Sequence, residues 1–232
     1  MVLGGVMTAR SLLSAAPARR AFSSSIEGIG RVGIVGAGQM GMGIAIVSAQ
    51  SALAGRDVTL FDISTEQLDK SLSFAEKLLQ RNVDKGKLTA EEKDITLGRI
   101  ERTDQLADLS SSDFIIEAAT ENIDLKLQLF ADLDALAKPG AILATNTSSI
   151  SITKIAAATT RPEAVIGMHF MNPVPIMKLV EIIEGIATSE DTTATTRELA
   201  AAMGKTTAVA QDVPGFIANR LLVPYARQRF AT

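Results

Sequence analysis

The feature that most restricts what this chain can fold into is a glycine triplet set between two apolar runs. Arg31-Val-Gly-Ile-Val35 leads into Gly36-Ala-Gly38-Gln-Met-Gly41, and Met42-Gly-Ile-Ala-Ile-Val47 follows. A buried strand that turns sharply into a helix calls for this pattern. The first glycine makes the tight turn, the second lets backbone approach a ligand, and the third lets helix and strand pack closely. The helix N-terminus then offers free N–H groups and the positive end of a dipole to an anion. Asp57-Val-Thr-Leu-Phe61 reads as a second strand, and Asp62 follows it, 26 positions after Gly36. That is near the roughly 20-residue spacing of a ribose-binding acid. A carboxylate there accepts from both ribose hydroxyls and repels a 2′-phosphate. Strand, triplet, helix, strand and acid in this order predict a dinucleotide site selecting NAD over NADP, built on Gly36, Gly38, Gln39, Met40, Gly41 and Asp62.

The same alternation continues along the chain. Helices are expected over about Gln39–Ala54, from Ser64 to about Val83, near Ala90–Ile95, over Ile123–Ala137 and near Thr192–Met203. Ser64 and Gln67 form a candidate capping box for the second of these. Asp113–Glu117, Ala141–Ala144, Ala164–Met168 and Lys178–Ile183 read as further short apolar strands. Such strands alternating with helices predict an α/β fold: a Rossmann-type, doubly wound, mostly parallel sheet with helices on both faces. A boundary is expected near Val213-Pro-Gly-Phe216, with a helix over Ile217–Arg229. The expected division is a leader over 1–27, a nucleotide-binding domain over 28–212, and the first helix of an all-α domain over 213–232.

Composition narrows the chemistry. The chain has no cysteine and one histidine, His169. Thiolate nucleophiles, disulfides and multi-imidazole zinc sites are excluded, and any imidazole acid–base step must use His169. Net charge is −3, with no basic cluster of the kind a nucleic-acid surface needs. The longest apolar stretch, Gly33–Val47, is shorter than the roughly 20 residues of a bilayer span, so no membrane span is expected. Met1–Ile26 holds Arg10, Arg19, Arg20, five serines and no acid. That is the composition of a mitochondrial transit peptide, and it predicts delivery to the matrix.

His169 follows a buried strand and precedes a loop bounded by Pro173 and Pro175, at a strand end where open α/β sheets bind ligands. A lone histidine is often only a packed side chain. Glu181, however, stands in the next strand among Leu179, Val180, Ile182 and Ile183, where an unpaired buried carboxylate is costly. One reading puts Glu181 outward at a sheet edge. The other has it accept from one imidazole nitrogen, fixing the tautomer. Thr145-Asn-Thr-Ser-Ser149 supplies helix-capping hydroxyls, and groups that could meet a substrate oxygen.

Taken together, Gly36-Ala-Gly-Gln-Met-Gly-Met-Gly-Ile-Ala45, Asn146-Thr-Ser-Ser149, His169-Phe-Met-Asn-Pro-Val-Pro-Ile-Met-Lys-Leu-Val-Glu181 and Asp212-Val-Pro-Gly-Phe-Ile-Ala-Asn-Arg-Leu-Leu222 resemble the short-chain L-3-hydroxyacyl-CoA dehydrogenases of fatty acid β-oxidation. The resemblance runs from Arg31 to Tyr225. It implies His169 as base and Glu181 as its orienting partner. Ser148 and Asn219 match positions at the substrate's reacting oxygen, and Asn172 an active-site asparagine. Glu121, Lys126 and Asn146 fall near the cofactor. Lys85 falls where the family turns a lysine toward CoA, although it also reads as a solvated loop charge. The implied reaction is oxidation of an L-3-hydroxyacyl-CoA to a 3-ketoacyl-CoA with NAD.

The chain departs from the family pattern in three places. Ser48–Arg56 is about three residues longer, and Met171 replaces an aromatic residue. The family also continues into a helical domain that closes the acyl site and forms a homodimer, whereas this sequence ends at Thr232. Two other readings therefore stay open: a non-catalytic NAD-binding fragment, and a dehydrogenase of small hydroxy acids.

Overall fold

A computed structural model describes residues 28–51 and 57–230. The expected leader, and most of the lengthened stretch before β2, lie outside the described residues. In chain order the elements are β1 (Arg31–Val35), α1 (Gln39–Ala49), β2 (Asp57–Phe61), α2 (Thr65–Asp84), α3 (Ala90–Gly98), β3 (Ile100–Thr103), β4 (Phe114–Glu117) and α4 (Ile123–Leu136). They continue as β5 (Ile142–Thr145), α5 (Ile152–Ala156), β6 (Val165–Phe170), β7 (Leu179–Glu184), α6 (Glu190–Ala202), β8 (Thr206–Ala210) and α7 (Ala218–Phe230).

The strands form one eight-stranded sheet in the order β3-β2-β1-β4-β5-β6-β7-β8. Pairing is parallel from β3 through β6, antiparallel between β6 and β7, and parallel again between β7 and β8. Strand alternation sends side chains to two cores. Val32, Ile34, Phe114, Ile116, Ile166 and Met168 pack with α1, α2 and α6 on one face. Val35, Ile115, Leu143, Val165 and Ile183 pack with α4 and α5 on the other. Helices thus cover both faces, and this is why the central strands read as continuous apolar runs.

The sequence-based expectations miss β3 and β8, and they make α1 too long; α5 follows the expected helix-capping segment Thr145–Ser149, but its cap is Ser151. Ile100-Glu-Arg-Thr103 and Thr206-Thr-Ala-Val-Ala210 are the two edge strands, with exposed or half-buried positions through most of their length. Such strands carry little apolar signal. The expected capping box at Ser64 closes on one side only. Ser64 Oγ accepts from Gln67 N at 3.2 Å, while the Gln67 side chain donates instead to Ala37 O at 2.9 Å. A full box forms where none is expected, at Thr89 and Glu92 of α3.

Carboxylates fasten the ends of elements. Asp134 accepts from Thr160 N, Thr160 Oγ1 and Arg161 Nε at 2.6–2.8 Å. Burial pushes its carboxyl up, but these three donors together hold it below the ordinary aspartate value of 3.8. Asp212 is likewise held low against burial by Thr153, Ile152 and Ser151. A carboxyl lowered in the folded state adds stability above its unfolded value, and that stability is lost as pH falls through the folded value. The Asp134→Asn variant should therefore be less stable than wild type by roughly 1–3 kcal/mol at neutral pH. Thermal unfolding followed from pH 7 down to about pH 3 should show the gap closing below the ordinary carboxyl range. A gap that stays constant with pH would mean that Asp134 contributes through packing alone.

Candidate functional site

The C-terminal ends of β1, β2, β4, β5 and β6 lie along one edge of the sheet. Because β7 is antiparallel to β6, it brings its beginning to that same edge. The edge includes the switch point at β1, which pairs β2 on one side and β4 on the other. Open α/β sheets bind ligands at such a point. The glycine triplet, Asp62, the Glu121 region, the Asn146–Ser149 segment, His169 and Glu181 all gather there.

The triplet has the geometry a dinucleotide requires. Gly36 has φ +97°, a conformation that L side chains rarely adopt. A Cβ on Gly41 would stand 1.8 Å from the Gly36 carbonyl oxygen, so only glycine lets α1 start that close to the turn. A Cβ on Gly38 would meet nothing within 4 Å, leaving an open approach at the helix start. Helices α2 to α6 each begin under a side-chain oxygen, from Ser64, Thr89, Asn122, Ser151 and Ser189. Helix α1 begins at Gly38 with no side-chain cap. Its first-turn N–H groups are therefore available to a pyrophosphate. Gln39 is exposed in that first turn, while Met40 is partly buried against the core.

Beside the triplet lies a cavity of about 330 Å³ lined by Gly36, Gly38, Asp62, Ile63, Gln67 and Leu125, among others. Asp62 Oδ2 accepts from Ala37 N at 2.8 Å and Oδ1 from Ser64 N at 2.9 Å. Each oxygen keeps acceptor capacity for a ribose hydroxyl. The residues present fit NAD: uncapped amides for phosphate, an oriented carboxylate for ribose, and an apolar-walled cavity for a base.

Toward β4 and β5 the polar groups fall into two tiers. Glu117 and Lys126 form a buried ion pair at 2.6 Å, and Glu117 also accepts from Thr145 Oγ1 and Ala119 N. Lys126 is only 1% exposed. Its ammonium satisfies a carboxylate that burial would otherwise leave unpaired, and it also lies 3.6 Å from Glu121 Oε2, directly behind the Glu121 carboxylate at the site. Above it, Glu121 Oε1 accepts from Thr147 Oγ1 at 2.6 Å, Ser148 N at 2.9 Å, and Ser148 Oγ and Ser149 Oγ at 3.3 Å. Burial raises the Glu121 carboxyl, but Thr147, Ser148 and the nearby Lys126 charge hold it below the ordinary glutamate value. Asn146 Oδ1 accepts from Phe170 N at 2.8 Å, so its NH2 group is the part a ligand could meet.

His169 and Glu181 are direct cross-strand partners in β6 and β7. Imidazole Nδ1 lies 2.7 Å from Glu181 Oε2. A carboxylate only accepts, so a neutral imidazole facing it carries its hydrogen on Nδ1 and its lone pair on Nε2. Glu181 is fully buried, and its other oxygen accepts from Ile217 N at 2.9 Å and Ala218 N at 2.8 Å. Its carboxylate is thus shared between the imidazole and the start of α7. Asn219 sits half-buried in the first turn of that helix.

After His169 the chain turns through Asn172, which is exposed and joined to Pro173 by a cis peptide bond. Lys205 fastens this turn by donating to the carbonyl oxygens of Val174 and Met177, and burial pushes its ammonium pKa down. Lys85 is exposed at the far end of α2, 20 helical residues from the end that begins beside Asp62. Sequence reasoning misses the roles of Lys205 and Phe216. It reads Gln67 only as a cap and Thr147 only as one of a cluster of hydroxyls, not as the partners of Ala37 O and Glu121 that they are.

Comparison with known proteins agrees with this geometry. Residues 31–213 match the family model described as 3-hydroxyacyl-CoA dehydrogenase, NAD binding domain. A 3-hydroxybutyryl-CoA dehydrogenase of Bradyrhizobium diazoefficiens is 48% identical over 204 residues, covering 88% of this chain and 69% of that protein. The fatty acid oxidation complex subunit alpha of Psychrobacter arcticus is 45% identical over 203 residues, and the match spans 28% of its length. Among solved structures, (S)-3-hydroxybutyryl-CoA dehydrogenase from Ralstonia eutropha superposes with a TM-score of 0.84 at 44% identity, over 87% of this chain and 70% of that one.

Proposed function

This chain belongs to the 3-hydroxyacyl-CoA dehydrogenase family, and on that premise we propose that it oxidises the 3-hydroxyl of L-3-hydroxyacyl-CoA thioesters, within fatty acid β-oxidation. The observation that carries this reading is the buried His169–Glu181 pair at the same sheet edge as the dinucleotide cradle. Bound NAD supplies the hydride acceptor. As the alcohol becomes a ketone, its hydroxyl proton passes to His169 Nε2 while the C3 hydrogen leaves with two electrons. Glu181 keeps Nδ1 protonated throughout and offsets the positive charge of the imidazolium. Ser148 and Asn219 serve the reacting oxygen, stabilising the charge that develops there. Asn172 serves substrate binding in the loop after His169, and Lys85 serves CoA. The Arg-rich, acid-free Met1–Ile26 supports delivery to the mitochondrial matrix.

One observation favours a second reading. Along α7, Leu221 is 70% exposed, Leu222 60% and Tyr225 61%. In that reading the chain binds NAD but turns over only when this apolar face is covered, by a second copy in a homodimer or by further helices. The purified chain should consume NADH with acetoacetyl-CoA, more slowly with NADPH, and not with free acetoacetate. NADH binding without turnover would favour the second reading. Turnover with free acetoacetate alone would replace acyl-CoA by a small hydroxy acid as substrate.

A further inference from the structure

The turn that leads into α7 is built more rigidly than a connection needs. At its start, Asp212 accepts from Ser151 Oγ at 2.8 Å and from Ile152 N and Thr153 N at 2.9 Å, which fixes it to the beginning of α5. At its end, Ile217 N and Ala218 N are fixed on Glu181. Between these anchors Gly215 has φ +79° and Phe216 φ +45°. The second value is costly, because a bulky L residue in the left-handed region crowds its own backbone. The surrounding contacts hold it there. Phe216 is 2% exposed, and its ring meets the His169 ring edge-on, with centroids 5.7 Å apart and planes at 61°.

We propose that Phe216 is a positioning residue for the His169 imidazole, and that the Asp212–Ala218 segment is the strap that holds it in place. The inference rests on the reading of His169 as base. The imidazole has two torsions, and its single bond to Glu181 leaves it free to swing about that contact. The Phe216 ring closes one side of this swing. Glu181 itself is fully buried, so the pair acts in a medium where its hydrogen bond is stronger. The same strap sets the start of α7, so Asn219 and the imidazole are placed by one structure rather than two. Backbone strain at Phe216 is the cost of directing its ring at His169 while its neighbours' N–H groups face Glu181.

The test compares Phe216→Ala and Phe216→Leu with wild type in the full chain. Leucine keeps most of the buried volume and guards against failure to fold. Because His169 is the only histidine, the nitrogen NMR signals of a 15N-histidine-labelled sample report this imidazole alone. Wild type should show a protonated Nδ1 and a bare Nε2. In the variants the two nitrogens should shift toward an averaged pattern. NADH affinity should be unchanged, and kcat with acetoacetyl-CoA should fall about 10- to 100-fold, the usual consequence of a displaced catalytic group. KM should change far less than kcat. A residue that only fills space would lower the melting temperature and leave both the nitrogen pattern and kcat of the folded protein at wild-type values. That outcome overturns the proposal. If wild type itself does not turn over acetoacetyl-CoA, the functional reading fails separately, and the nitrogen pattern of the variants still decides whether Phe216 orders the imidazole.

Discussion

The His169→Asn variant should bind NADH as wild type does and lose acetoacetyl-CoA reduction by about 10²–10⁴-fold, the usual worth of a positioned acid–base group. His169 is on the core face shared with α4 and α5, opposite the face that α1 covers, so the cradle should survive the change. Glu181→Gln is the more informative partner experiment. A glutamine has one accepting oxygen, and Glu181 now accepts at both of its oxygens. If the glutamine oxygen takes the Ile217 and Ala218 N–H groups, its NH2 faces Nδ1 and can only donate. The imidazole must then carry its hydrogen on Nε2, the nitrogen meant to receive the substrate proton. Loss of kcat should approach that of His169→Asn although the histidine remains, and a nitrogen NMR spectrum should show the exchanged tautomer. Wild-type kcat in His169→Asn would remove the imidazole from the reaction altogether.

Much of this arrangement was legible in the sequence because it depends on local backbone demands. Gly36 and Gly41 reveal themselves, since a turn with positive φ and a helix start against a carbonyl both exclude a Cβ. Central strands show as unbroken apolar runs because both of their faces are covered. Edge strands β3 and β8 do not, because solvent tolerates Glu101, Arg102 and Thr206 there. The direction of β7 has no sequence signal, yet it makes His169 and Glu181 immediate partners. Lys126 shows the limit most clearly. Its motif position suggests a place near the cofactor, but only the fold reveals that its ammonium pairs with Glu117 at 2.6 Å in the interior while lying 3.6 Å from Glu121. Phe216 was hidden for a similar reason: a phenylalanine after Pro-Gly reads as an apolar residue at a turn, and its partner is 47 positions earlier.

Changing Gly41 to alanine should disable the chain at its nucleotide site more completely than any substitution at the imidazole end. The added Cβ would stand 1.8 Å from the Gly36 carbonyl oxygen and 2.9 Å from its carbon. Both are backbone atoms, so no rotamer change relieves the contact. Either α1 must move outward or the β1 turn must deform. Helix α1 is buried from Gly41 to Ala49, so an outward shift also disturbs packing on β1 and β2. Overpacking of this kind costs roughly 1–3 kcal/mol, and a contact between backbones lies at or above the upper end. The melting temperature should fall, and NADH affinity should drop by at least about 100-fold, because the first-turn amides no longer aim at one point. Gly38→Ala is the control. Its Cβ meets no protein atom within 4 Å, so stability should hold while the methyl group occupies space the pyrophosphate needs. Loss of NADH binding at an unchanged melting temperature in Gly38→Ala, against loss of both in Gly41→Ala, would separate the ligand's requirement from the fold's. If Gly38→Ala bound NADH as wild type does, the phosphates would not lie over the start of α1, and the cradle would have to be sought elsewhere along the sheet edge.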